Sequence, residues 1–143
     1  MNSAWILLVE DDLDHVALAL RALRKSGVDA QIVVAHSGAE ALECLFGEQP
    51  PTRDSAPRVI FLDLKLPHMN GFEVLRRLRS RDVTATLPVV VMTSSDEECD
   101  KEESYNLGAN SFIQKPVDYD HFVDVIRQTG NYWLKLNQVG SRG

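Results

Sequence analysis

Acidic, hydroxyl and basic side chains stand where apolar runs stop. "ILLVEDD" ends on Glu10, Asp11 and Asp12, and "VIFLD" ends on Asp63, with a turn marked by Pro67 and Gly71 directly after it. "LPVVVMT" ends on Thr93, followed by Ser94 and Ser95, and "NSFIQK" ends on Lys115 before Pro116. In open α/β sheets, ligands bind beyond the carboxyl ends of the strands. If the first and third of these runs are neighbouring strands, their carboxylates converge at one sheet edge. Like charges brought together lift a pKa, and a cluster of hard oxygen ligands suits Mg²⁺ or Mn²⁺. Asp12 directly precedes an apolar helix face and reads as an N-cap. Asp63 faces a proline-glycine turn with no helix to cap, which makes it the candidate reactive group. The Thr93 hydroxyl could hydrogen-bond an anionic group on Asp63, and Lys115 offers a compact positive charge to phosphate-like oxygens. The bond before Pro116 is a candidate cis peptide, as X-Pro bonds at tight exits can be.

Five β-rich runs carry these residues: 5–9, 30–35, 58–63, 87–93 and 110–115. At least three are continuously apolar, as in parallel strands covered on both faces. Helical patterns separate them. Leu13, Val16, Leu20 and Leu23 share a helical face that Gly27 closes. Ser37, Asn70, Asp96 and Asp118 are the expected N-caps of the helices that follow. Inward positions are Ala41, Leu42 and Leu45, then Phe72, Leu75 and Leu78, then Phe122, Val125, Ile126 and Thr129. The alternation predicts a doubly wound α/β domain with a five-stranded parallel sheet and five helices. The proline-rich segment 47–57 is long for an α-to-β link and is expected to be mobile.

The chain has 143 residues and a formal charge of −6, which suits one domain with a real core. The acidic balance argues against nucleic acid as the main partner. No apolar run reaches the roughly 20 residues of a membrane helix. Cys44 and Cys99 are far apart and fit two free thiols in a reducing, cytoplasmic setting.

"LLVEDD", "VIFLDLKLPHMNGFEVL", "VVVMTSS" and "GANSFIQKP", in that order, resemble the receiver domain of two-component response regulators. The likeness covers about residues 6–129. It implies a flavodoxin-like fold with strand order 2-1-3-4-5, a core over about 4–129 and a helical extension over about 130–138, all in one domain spanning 1–143. It implies that Asp63 is the phosphoacceptor. Asp11 would ligate Mg²⁺ (or Mn²⁺) directly, Glu10 largely through water, and the backbone carbonyl of Lys65 would be the third protein ligand. Thr93 matches the switch hydroxyl and Lys115 the phosphate-pairing lysine. Phe112 stands where the family places a rotating aromatic, so switching there would rest on packing alone. The side chains of Lys65 and Ser95 flank the site and would tune the lifetime of the phosphoryl group. The donor would be the phosphohistidine of a sensor kinase. Phosphorylation would draw Thr93 toward the phosphoryl group, let Phe112 turn inward, and alter the face of the fourth helix, fifth strand and fifth helix.

The tail "FVDVIRQTGNYWLKLN" is similar to the end of single-domain regulators paired with bacterial and cyanobacterial phytochromes. With no output module following Gln138, the expected response is a protein–protein contact, either as an end-point effector or as an intermediate in a multi-step relay. Tyr132, Trp133, Leu134 and Leu136 suggest a homodimer through the last helix. The competing reading folds Trp133 back onto the domain's own core. Gly130 weakens that helix by roughly 1 kcal/mol relative to Ala, which leaves room for a kink or break there. A haloacid-dehalogenase-like phosphatase would need a second Asp at position 65, where Lys65 stands. The four histidines show no metal-ligand spacing, and His68 reads as a surface residue near the kinase-docking region.

Overall fold

A computed structural model describes residues 4–27, 29–52, 55–94, 97–116 and 118–137. The elements run β1 (Trp5–Val9), α1 (Leu13–Lys25), β2 (Gln31–Ala35), α2 (Gly38–Phe46), β3 (Val59–Leu62), α3 (Gly71–Arg79), β4 (Val89–Thr93), α4 (Glu98–Asn106), β5 (Ser111–Gln114) and α5 (Tyr119–Asn131). A π-helical turn, Tyr132–Leu136, follows α5. The five strands form one parallel sheet in the order β2-β1-β3-β4-β5. This is the doubly wound, flavodoxin-like arrangement that the sequence implied.

The apolar runs are continuous because the central strands are covered on both faces. Alternate residues feed two cores. Leu7, Val9, Ile60, Leu62, Val89 and Val91 pack with Ala41, Leu45, Val74, Leu75 and Leu78 on one side. Ile6, Leu8, Val59, Phe61, Val90 and Met92 pack with Val16, Leu23, Phe122 and Ile126 on the other. Four helix starts are capped as the residue types dictate. Asp12 accepts from the amides of Asp14 and His15, Ser37 from Glu40, Asn70 from Glu73 and Asp118 from His121. The expected cap Asp96 and the flanking Ser95 lie outside the described residues.

Four expectations change. Leu13 is 70% exposed, because it opens α1 beyond the carboxyl edge of the sheet; the buried stripe is Val16, Ala19, Ala22 and Leu23. Gly130 does not break the last helix. It is buried within α5, and a Cβ there would lie 2.5 Å from Leu23 Cδ2, so glycine lets α5 approach α1 closely. The tail splits its four apolar residues. Trp133 and Leu134 pack against the core beneath α1 and α5, whereas Tyr132 and Leu136 face outward. Lys135 Nζ donates to the Ser26 carbonyl at 3.3 Å and Arg58 to the Leu134 carbonyl at 3.4 Å, which ties the turn to the domain. Finally, no cis peptide occurs among the described residues, the bond before Pro116 included.

Cys44 is half-buried, Cys99 is exposed, and both are free thiols. No helix among the described residues is long and apolar enough to cross a membrane.

Candidate functional site

Backbone ladder bonds carry three side chains one residue past the strand ends. Glu10 N–H donates to the Ala35 carbonyl at 2.9 Å, Asp63 N–H to the Val9 carbonyl at 3.1 Å, and Lys115 N–H to the Thr93 carbonyl at 2.7 Å. Because β1 and β3 are neighbours, Asp63 arrives beside Glu10. The exit of β3 then turns sharply into α3. Gly71 N–H donates to the Leu64 carbonyl at 2.8 Å, and a Cβ on Gly71 would sit 2.5 Å from the Asp63 carbonyl oxygen. Glycine at 71 is thus required for the turn that presents Asp63. His68, in the same loop, is exposed with φ of 66°, a left-handed conformation rare for residues other than glycine.

Glu10, Asp63 and Lys115 are buried, at 3%, 7% and 8% exposure, and Thr93 is fully buried. Asp11 is exposed at the rim. One carboxylate oxygen from each of Glu10, Asp11 and Asp63 lies within 4.8 Å of the others. Lys115 Nζ donates to Glu10 Oε1 and, at 3.2 Å, to Asp63 Oδ2. The remaining carboxylate oxygens meet backbone amides: Lys65 N–H donates to Asp63 Oδ1 and Asp12 N–H to Glu10 Oε2, both at 3.2 Å. Burial, and then the charge of Asp63, push the Glu10 carboxyl up to about 7, against the pull of Lys115.

Three carboxylates facing one ammonium leave an excess of negative charge, and all three offer hard oxygen ligands. Mg²⁺ or Mn²⁺ fits such a donor set. The expected residues therefore divide. Glu10, Asp11, Asp63 and Lys115 come together. Thr93 closes β4, the strand beside β3, and pairs in register with Gln114. Phe112 stands apart from the charged cluster, half-buried against the apolar core on the α3 side and opposite Val91. The Lys65 side chain is exposed, and its amide donates to Asp63.

One member escapes sequence reasoning. His15 Nδ1 lies 2.9 Å from Lys115 Nζ and 3.7 Å from Glu10 Oε1. The sequence signal was its place one turn into the helix that Asp12 caps, on the side facing the site.

The profile of the response regulator receiver domain matches residues 6–127. "Probable methanogenesis regulatory protein FilR2" of Methanothrix harundinacea is 34% identical over 133 residues, covering 93% of this chain and 85% of its own. Response regulator Rcp1 of Synechocystis is 30% identical over 130 residues, covering 91% and 88%. A crystal structure of the Mn²⁺-bound form of Rcp1 superposes with a TM-score of 0.86 at 29% identity over 96% of this chain and 99% of that one. The phosphorylated cyanobacterial phytochrome response regulator RcpA superposes with a TM-score of 0.88 at 32% identity, over 99% of this chain and all of the other.

Proposed function

The chain belongs to the response regulator receiver domain family, and from that premise we propose that Asp63 accepts a phosphoryl group from the phosphohistidine of a sensor kinase. The observation that carries this reading is the buried Asp63 carboxylate at the exit of β3, with Lys115, Glu10 and Asp11 gathered around it.

A carboxylate is a weak nucleophile, so positioning must make it effective. The Lys65 amide and the Lys115 ammonium hold the two Asp63 oxygens from opposite sides. One oxygen attacks phosphorus as the P–N bond to the kinase histidine breaks. The imidazole leaves with the electron pair, and the product is an aspartyl phosphate that water later hydrolyses to inorganic phosphate. A divalent cation held by Glu10, Asp11, Asp63 and the Lys65 carbonyl, Mg²⁺ or Mn²⁺, supplies charge neutralisation for the phosphoryl oxygens when bound. Lys115 pairs with a phosphoryl oxygen, and the Thr93 hydroxyl turns toward another. Phe112 then repacks inward, and the α4–β5–α5 face changes shape. The chain acts as a signalling receiver that promotes only its own phosphorylation and dephosphorylation.

Likeness to Rcp1 and RcpA supports a phytochrome-type kinase as the donor, and the acidic balance supports protein partners. A homodimer through the C-terminal turn is supported by Tyr132 and Leu136, 47% and 65% exposed on one short segment. Light scattering on a Tyr132→Ser/Leu136→Ser variant tests that contact; a dimer of undiminished stability would remove it.

The phosphoacceptor reading is tested with a bacteriophytochrome kinase carrying labelled phosphate on its histidine. In the presence of Mg²⁺ the wild type takes up the label, and Asp63→Asn takes up none. Labelling of Asp63→Asn at the wild-type rate would refute it.

A further inference from the structure

We propose that His15 is a positioning residue for Lys115, fixing its ammonium where the incoming phosphoryl oxygen must be met. The proposal rests on the reading of Asp63 as phosphoacceptor.

A lysine ammonium has three N–H donors and no acceptor. Three acceptors surround Lys115 Nζ: Glu10 Oε1, Asp63 Oδ2 at 3.2 Å and His15 Nδ1 at 2.9 Å. The ammonium can only donate, so Nδ1 presents its lone pair and the ring proton resides on Nε2. Backbone and ring of His15 are each held. The His15 backbone N–H donates to Asp12 Oδ1 at 3.2 Å, the N-cap bond of α1. The ring stacks on Phe122 of α5, with centroids 5.5 Å apart and planes 28° from parallel. Phe122 is buried in the core between α1 and α5, so the ring inherits the rigidity of that packing.

The three acceptors differ in what the reaction asks of them. Glu10 and Asp63 belong to the acidic cluster, and Asp63 gives up its negative oxygen when it forms the new bond. His15 takes no part in either event. It therefore retains Lys115 when the carboxylate bonds loosen. Without it, a long flexible side chain must be ordered during the reaction, and that cost falls on the transition state.

Asparagine can place an amide oxygen near the position of Nδ1, whereas alanine and leucine offer no acceptor. Leucine keeps an apolar contact with Phe122 and guards against loss of the fold. With phosphoramidate and Mg²⁺, His15→Ala and His15→Leu should be phosphorylated about tenfold more slowly, and His15→Asn within about twofold of wild type, the size expected for a hydrogen bond to a charged group. A second readout needs neither metal nor donor. In ¹H–¹⁵N spectra of the metal-free protein, the Lys115 ammonium should give a resolved resonance in wild type and His15→Asn that is lost by fast exchange in His15→Ala and His15→Leu. Equal rates in all four proteins, or equal slowing of the alanine and asparagine variants, would overturn the assignment, as would an ammonium signal that ignores the substitutions. If no variant, wild type included, gains phosphate, the phosphoacceptor reading fails, and the spectra alone decide the His15–Lys115 contact.

Discussion

Helices α3 and α4 are both nine residues long and follow adjacent strands, yet they are held very differently. Helix α3 buries Gly71, Val74, Leu75 and Leu78, is capped by Asn70, and carries Arg76, Arg77 and Arg79 in its last turn, where cations suit the dipole. Helix α4 buries only Ser104, has no side-chain cap bond, and has no basic residue in its last turn. Of its acids, Glu98 and Glu102 are exposed, and Glu103 is half-buried and pairs with Arg76 of α3 at 3.7 Å. The difference teaches where the domain is rigid and where it can respond. The half that presents Asp63 is anchored by a packed helix, whereas the helix after Thr93 has little apolar burial to lose when it moves. The two halves join through Arg79, which reaches from α3 to the Gly108 carbonyl at 2.8 Å, to Asn110 Oδ1 at 3.0 Å and to the Thr84 carbonyl at 3.0 Å.

The contrast breaks most directly under urea. Leu75→Ala should cost about 2–5 kcal/mol, as for other fully buried leucines. Tyr105→Ala, on the exposed side of α4, should change stability by about 0.5 kcal/mol or less. Comparable losses would erase the distinction. Arg79→Ala should come next, at about 1–3 kcal/mol, because it strands a carbonyl that Arg79 satisfies. Hydrogen exchange should then accelerate at 107–110 and leave the α3 amides protected; uniform acceleration would deny the joint its local role.

The last effect is set by pH and belongs to the anchored half. Glu10 is raised in the folded protein, from an ordinary 4.5 to about 7. Between those values the folded state binds more protons at Glu10 than the unfolded one, so the Glu10 contribution to stability is full below about 4.5 and is lost as pH climbs through 7. Denaturation midpoints of the metal-free protein should follow that slope, and Glu10→Gln should flatten it. An unchanged slope in the variant would locate the titration elsewhere.

Much of this was legible beforehand, for reasons that differ by residue. The strands were read to within two residues because the sheet is covered on both faces, which leaves runs such as "VIFL" without alternation. Asp63 was legible because a carboxylate at the exit of a buried strand has few structural uses. Asp12, Ser37, Asn70 and Asp118 declared themselves through the local chemistry of caps, which needs no tertiary knowledge. The strand order came through the family resemblance, since alternation alone leaves it open. His15 stayed hidden because its partner Lys115 is 100 residues away, and only the register of β1, β3, β4 and β5 brings the two together. Leu13 misled because a helical stripe says nothing about where the sheet beneath it ends. Trp133 and Tyr132 are adjacent and chemically alike, so the π turn that sends one inward and the other out left no trace in composition.

The central claim is that Glu10, Asp11 and Asp63 gather closely enough to hold a divalent ion beside a reactive carboxylate. Electron paramagnetic resonance of Mn²⁺ titrated into the protein tests it directly, with Asp11→Asn as the comparison because Asp11 is the exposed member and its loss spares the core. The account predicts a single bound Mn²⁺ per wild-type chain, displaced by Mg²⁺, and severely weakened binding in Asp11→Asn. Wild-type protein that takes up no Mn²⁺, or an Asp11→Asn variant that binds it equally well, would contradict it.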